Sequence, residues 1–105
     1  MSRTSGKISE NIPSTFTLGG HTITVVVHSE TENDKSGEWL QEESTIRLWP
    51  KGRTHDYMLT TFYHELTHAI KDIWCRPSES SDEEKVDVMG QGLTQFAKTA
   101  KYPKP

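Results

Sequence analysis

The sequence is short of the residues that build a hydrophobic core. Hydrophobic residues make up 31% of the 105-residue chain, and its 7 glycines raise this share to about 38%, below the roughly 45–50% of an ordinary globular domain. The mean hydropathy is -0.73. The longest apolar run is Val25-Val26-Val27, far short of the about 20 residues that a membrane span needs. A core this small needs further support, and a bound metal ion is one way to supply it.

The chain has a single cysteine, and its basic residues are outnumbered by its acidic ones, 12 to 15. The single cysteine, Cys75, excludes a disulfide within the chain, and no apolar stretch near Met1 resembles a signal peptide, so we expect a cytoplasmic protein. The net charge of -3 argues against a nucleic-acid-binding protein, which is usually basic. We therefore expect neither a nucleic-acid partner nor a membrane partner.

The patterning predicts one folded domain over residues 15–100. A polar segment at residues 1–14 is expected to be disordered, and residues 101–105 are expected to form a short basic, solvated tail. Apolar residues alternate with threonines over residues 15–28, on both sides of Gly19-Gly20, which predicts a β-hairpin.

A second alternation predicts a short strand over residues 44–49, with Trp39 and Trp49 at the edge of the sheet, and the polar residues 29–37 predict a loop. The expected fold class is therefore α+β, with a small antiparallel or mixed sheet of about three strands packed on two helices.

The first helix is predicted over residues 55–74. Thr54 is a suitable N-cap, and Pro77 opposes continuation of the helix. On a helical wheel the apolar side chains share one side; they are Met58, Leu59, Phe62, Leu66, Ala69, Ile70 and Ile73.

The second helix is predicted over residues 82–100, after a capping box formed by Ser81 and Glu84. Gly90 and Gly92 each cost about 1 kcal/mol of helix propensity relative to alanine. We expect Gly90 to allow a close approach of the two helices. The predicted apolar stripe consists of Val86, Met89, Leu93, Phe96, Ala97 and Ala100.

The first helix contains the H-E-x-x-H pattern, as His64-Glu65-Leu66-Thr67-His68. Residues four apart lie one turn apart on the same side of a helix, so both imidazoles can reach one ion at the Zn–N distance of about 2.0–2.1 Å. The wheel places them at about 200° and 240° from Phe62, where they can face a cleft while the apolar stripe is buried. The alternative is a polar helix face that matches the pattern by chance.

A catalytic zinc normally has three protein ligands, and no histidine follows His68 at the His-x-x-Gly-x-x-His spacing. The alternative is an acid from the next helix. A wheel anchored on Val86 turns Glu83 inward, so Glu83 is the expected third ligand, with Glu84 as the alternative. Asp87 would accept a hydrogen bond from a ligand histidine. The alternative is that both glutamates have no metal to bind, since the helix dipole favours acidic side chains in the first turn of any helix.

The order of these residues resembles the gluzincin group of zinc metallopeptidases, in which E-x-x-x-D on a later helix follows H-E-x-x-H. The matching residues are His64, Glu65, His68, Glu83 and Asp87. Over about residues 15–97, the chain is most similar to small phage-encoded members of the ImmA/IrrE type, which begin with a Phe-x-Leu-Gly hairpin. The resemblance implies a minimal zincin-like domain that binds Zn²⁺ in a bacterial cell. It also implies that the sheet edge beside the active helix is the platform for a protein or peptide substrate.

The expected activity is hydrolysis of a peptide bond in a protein substrate. His64, His68 and Glu83 would hold the zinc, and Glu65 would take a proton from a metal-bound water and pass it to the leaving amine. Candidates for a group that stabilises the transition state are Tyr57, Tyr63, His55 and His28. One alternative is a non-catalytic, zinc-stabilised module that binds a host or phage protein. Another is an α+β adaptor without a metal.

Overall fold

The computed structural model describes residues 11–74 and 82–103; Asp82, Glu83, Glu84 and Val86 are described only through the backbone of their helix. The elements are β1 (Thr15–Leu18), β2 (His21–Val27), β3 (Gly37–Leu40), a 3-10 turn (Gln41–Glu43), β4 (Thr45–Leu48), α1 (His55–Trp74) and α2 (Asp82–Thr99). The predicted α+β class is confirmed. Within these ranges, no helix has the length and apolar character that crossing a membrane requires.

The sheet has four strands in the order β1-β2-β4-β3. The outer pairs are antiparallel and β2 runs parallel to β4, so the sheet is mixed. Gly19 and Gly20 turn the first hairpin with φ of 55° and 88°, values that favour glycine. The prediction of about three strands misses β3, because Gly37–Leu40 shows no alternation of buried and exposed residues: all four are partly buried, whereas β1 and β4 of the same length alternate.

Both helices cover one face of the sheet. α1 packs against β3 and β4, and α2 packs against β1. The opposite face carries polar side chains, among them the exposed Thr22 and Thr24. The core between sheet and helices includes Phe16, Leu18, Ile23, Ile46, Leu48, Met58, Phe62, Leu66, Ile70 and Phe96, all at most 6% exposed.

The first helix has the predicted bounds, and the Thr54 hydroxyl accepts a hydrogen bond from the Tyr57 backbone N–H at 3.1 Å. This contact confirms the N-cap. The predicted apolar stripe of α1 is confirmed as well, although Leu59 and Ile73, which lie towards the two ends of the helix, are only partly buried.

The predicted stripe of α2 is wrong in part. Leu93 is 41% exposed and Ala97 is exposed, whereas Gly92 is buried. The Phe96 ring sets this orientation, because it packs between Phe16 and Phe62 with centroid distances of 4.9 and 5.8 Å. The face of α2 that meets the core is therefore rotated from the predicted one.

The close approach of the two helices occurs at Gly92 and not at Gly90, contrary to expectation. A Cβ atom at Gly92 would lie 2.7 Å from Cγ2 of Ile70, whereas one at Gly90 would meet nothing within 4 Å. Phe96 lies against Phe62 and Gly92 against Ile70, so the two helices run antiparallel.

The folded domain extends beyond residues 15–100 at both ends. Ile12 is 3% exposed and Pro13 is fully buried, so the expected disorder is wrong for these residues. The Ser14 N–H donates to the carbonyl of Lys101 at 2.8 Å, and the Lys101 N–H donates to the carbonyl of Thr15 at 2.8 Å. Lys101 is therefore paired with the first strand instead of belonging to a free tail. Residues 1–10, 104 and 105 lie outside the described ranges.

Candidate metal centre

The two histidines of the H-E-x-x-H segment converge on the exposed side of α1. The Nε2 atoms of His64 and His68 are 3.2 Å apart, and both side chains are exposed. Two nitrogens bound to one tetrahedral zinc at about 2.05 Å would be about 3.3 Å apart. The pair therefore has the spacing that a shared metal ion requires. An N–H···N hydrogen bond between the rings fits the same distance and is the alternative.

Glu65 lies in a different environment from its neighbours. It is 8% exposed and faces the start of β3. A Cβ atom at Gly37 would lie 3.2 Å from Cγ of Glu65 and 2.5 Å from Cγ2 of Thr61. Because glycine has no side chain, β3 can pack closely against α1 at Glu65. Sequence reasoning missed this role of Gly37, for which the only signal was a glycine at the end of a polar segment.

β3 continues along α1 past the histidines. The hydroxyls of Ser36 and Thr61 are 3.3 Å apart at one end, and the Trp39 indole N–H donates to Asp72 Oδ2 at 2.7 Å at the other. Among the described strands, β3 pairs only with β4, so its second edge has no strand partner there. Trp39 lies on this edge as predicted, whereas Trp49 is buried next to the inner strand β4.

A cleft of about 670 Å³ lies along the first half of α1, next to the residue that precedes β3, and its lining includes Ser36, Tyr57, Thr61, His64 and Glu65. Of the four residues predicted as transition-state stabilisers, only Tyr57 lines it. Tyr57 is 53% exposed.

The other three candidates lie elsewhere. Tyr63 packs against Phe96 with a centroid distance of 6.3 Å. Tyr63 also lies near Tyr102. The pKa of Tyr102 is raised above its usual value of 10.0 by partial burial and, to a smaller extent, by Tyr63. His28 and His55 line a separate pocket.

The described part of α2 does not supply a third ligand. It contacts the side of α1 that carries Tyr63 and Ile70, about 150° around the helix from His68. Asp87 is exposed and lines a groove along α2 itself. Among the described side chains, no three potential ligands come together. Asp87 therefore does not approach the histidine pair as its predicted role requires.

The predicted ligand Glu83 and its alternative Glu84 both have side chains outside the described part of the chain. The preference for Glu83 depends on a stripe through Leu93 and Ala97. Because α2 is rotated from that stripe, the wheel no longer favours Glu83 over Glu84. The capping box at Ser81 also lies outside the described residues.

Comparison of the chain with protein-family models, curated proteins and solved structures finds no match. The resemblance to gluzincins therefore stays a hypothesis that depends on the residues themselves.

Proposed function

We propose that this protein is a zinc-dependent peptidase whose centre is the His64–His68 pair. The observation that carries the proposal is the 3.2 Å distance between the two Nε2 atoms, combined with the buried Glu65 between them in sequence and a cleft shared by Glu65 and His64. A polar helix face with no function requires neither convergent imidazoles nor a buried carboxylate.

The ligand set of the proposal is His64, His68 and an acid from the start of α2. Glu83 is the proposed acid, because it matches the glutamate of E-x-x-x-D in the gluzincin resemblance, and Glu84 is the alternative. Two imidazoles and a carboxylate suit Zn²⁺. When bound, zinc would polarise the scissile carbonyl and increase the acidity of the attacking water.

Glu65 is the proposed general base and acid. Its carboxylate takes a proton from the attacking water and gives it to the leaving nitrogen as the peptide C–N bond breaks, so the proton balance closes within the site. Its Cγ packs against Gly37 of β3, and the side chain lines the cleft. Tyr57 is the proposed donor to the oxygen that becomes negative in the transition state, since it alone of the candidates lines this cleft.

The edge of β3 is the proposed platform for the substrate. An extended peptide can add to an edge strand through main-chain hydrogen bonds, and β3 lies between its partner β4 and the polar side of α1. His68 lies about 40° around α1 from the line of residues that contacts β3. A peptide along this edge would therefore pass close to the histidine pair.

The proposed setting is the cytoplasm of a bacterial cell, with a phage or prophage as the source. The single cysteine and the resemblance to small phage-encoded peptidases support this setting.

The variant Glu65→Gln tests the proposal. It keeps the size of the side chain and removes the base, so hydrolysis of a peptide library should fall at least about a hundredfold, while zinc content by elemental analysis stays near one ion per chain. Glu42→Gln, at an exposed position of the 3-10 turn, is the matched control and should keep full activity. Equal hydrolysis by wild type and Glu65→Gln would exclude the proposed mechanism.

The second candidate function is a non-catalytic zinc module that binds another protein. The exposure of both histidines favours it, because a ligand from a partner could complete the metal site. The same variant separates the two functions, since a biological effect that survives in zinc-loaded Glu65→Gln does not come from peptidase chemistry.

A further inference from the structure

A second pocket lies at the N-terminal end of α1, separate from the histidine pair. It has a volume of about 590 Å³, and its walls combine apolar side chains such as Val27 and Met58 with His28 and His55. A pocket with apolar walls and a few polar groups is the usual form of a site for a small organic ligand.

The two histidines of this pocket each have a buried nitrogen without a partner. Their Nε2 atoms are the only buried side-chain nitrogen or oxygen atoms without a hydrogen bond in the described part of the chain. A buried polar atom without a partner destabilises a fold, so such atoms are rare. Two of them in one pocket indicate that a bound molecule supplies the missing partners.

The imidazole of His28 is held in place. It stacks on the buried Trp49 ring, with a centroid distance of 4.9 Å and an interplanar angle of 13°. The His55 side chain is 26% exposed, and its Nδ1 atom lies 4.0 Å from Asp56 Oδ1, too far for a hydrogen bond. In both residues Nε2 is the buried nitrogen that lacks a partner.

The charge around the pocket favours an anion. Its lining includes Lys51 and Arg53 and no aspartate or glutamate, although the whole chain has a net charge of -3. The Arg53 guanidinium donates to the carbonyls of Trp49 and Asp34, both at 3.1 Å, so Arg53 contributes positive charge while its donors are in use. The N-terminus of α1 adds to the positive potential.

We propose that this pocket binds an organic carboxylate with an apolar body, its oxygens accepting hydrogen bonds from Nε2 of His28 and His55. The carboxylate can belong to a free acid or to the C-terminal residue of a peptide. The proposal concerns a different pocket from the metal centre and does not depend on the proposed peptidase activity.

Titration of the metal-free full-length protein, followed by NMR of the histidine side chains, tests this proposal. Hexanoate and N-acetyl-leucine are the two carboxylate probes; hexan-1-ol, hexylamine and N-acetyl-leucinamide are the matched molecules without the carboxylate. We expect saturable shifts of the His28 and His55 imidazole signals with at least one carboxylate probe, and binding at least about tenfold weaker for its matched molecules. Preference for N-acetyl-leucine over hexanoate would identify a peptide C-terminus as the source.

The variants His28→Gln and His55→Gln should each weaken binding about tenfold or more, and His21→Gln, at an exposed position of β2, should not change it. The proposal is wrong if neither carboxylate probe binds, or if hexan-1-ol binds as tightly as hexanoate. It is also wrong if inorganic phosphate alone binds as tightly, since the apolar walls would then have no role. If a variant does not fold, the wild-type titration still decides.

Discussion

Single residues of the H-E-x-x-H segment differ sharply in exposure although they are neighbours in the chain. His64 is exposed, and Glu65 is only 8% exposed against β3. Each step along a helix turns the side chain by about 100°, so Glu65 points away from the direction that His64 and His68 share. In the proposed site, this separation would let His64 and His68 meet an ion while Glu65 packs against the strand.

The first prediction concerns the two ligand residues. His64→Ala or His68→Ala should each weaken zinc binding by roughly a hundredfold or more, because changes to groups that merely support a ligand already cost about 10–100-fold. Competition with a chromophoric zinc chelator measures this, with His21→Ala as the control. Unchanged zinc affinity in either variant would show that the 3.2 Å contact is a hydrogen bond and not a metal site.

The spacing of the two histidines could be predicted from the sequence. The burial of Glu65 and the choice of Tyr57 could not, because they depend on contacts with residues distant in the chain. The spacing of His64 and His68 follows from helix geometry alone, and their convergence agrees with it. The burial of Glu65 comes from the contact with Gly37, and nothing in the sequence pairs these two positions. The choice of Tyr57 among four candidates likewise needed the positions of the cleft walls.

At the scale of elements, α1 was predictable and α2 was predictable only in its extent. Seven apolar residues mark the buried face of α1, so the helical pattern is clear even though Leu59 and Ile73 are only partly buried. In α2 the key contact is a glycine, Gly92, which no hydrophobic pattern counts as buried. The edge strand β3 was missed because pairing with β4, and not its own composition, makes it a strand.

The second prediction compares the two glycines of α2. Gly92→Ala should lower the free energy of unfolding by about 1–3 kcal/mol, because its Cβ would overlap the buried Ile70 side chain at 2.7 Å. Gly90→Ala should raise it by about 0.5–1 kcal/mol, since that position is open and alanine favours the helix. Urea denaturation measures both changes. A stabilising Gly92→Ala would contradict the close approach of the helices.

At the scale of the whole molecule, the domain has one thin core between a four-stranded sheet and two helices. The opposite face of the sheet carries polar side chains such as Thr22 and Thr24. This one-sided packing explains how a chain with 31% hydrophobic residues forms a core. It also leaves a small margin of stability, to which a bound metal would add.

The third prediction follows from this small margin. Free zinc at about 100 times its Kd should stabilise the fold by about 2.7 kcal/mol, which corresponds to a rise in Tm of roughly 10–20 °C for a domain of this size. Calorimetry before and after chelation measures the change, with His68→Ala as the variant that should not respond. The same Tm in both wild-type samples would contradict a metal that supports the fold.

The pairing of Ser14 and Thr15 with Lys101 means that the chain enters and leaves the domain at one corner. A short linker could therefore join these positions, and new ends could be opened in the exposed segment at residues 29–35 without breaking any strand. For the same reason, the domain could be inserted into a surface loop of another protein without spreading the ends of that loop. The chain ends could therefore be moved from this corner to residues 29–35 while the arrangement of strands and helices stays the same.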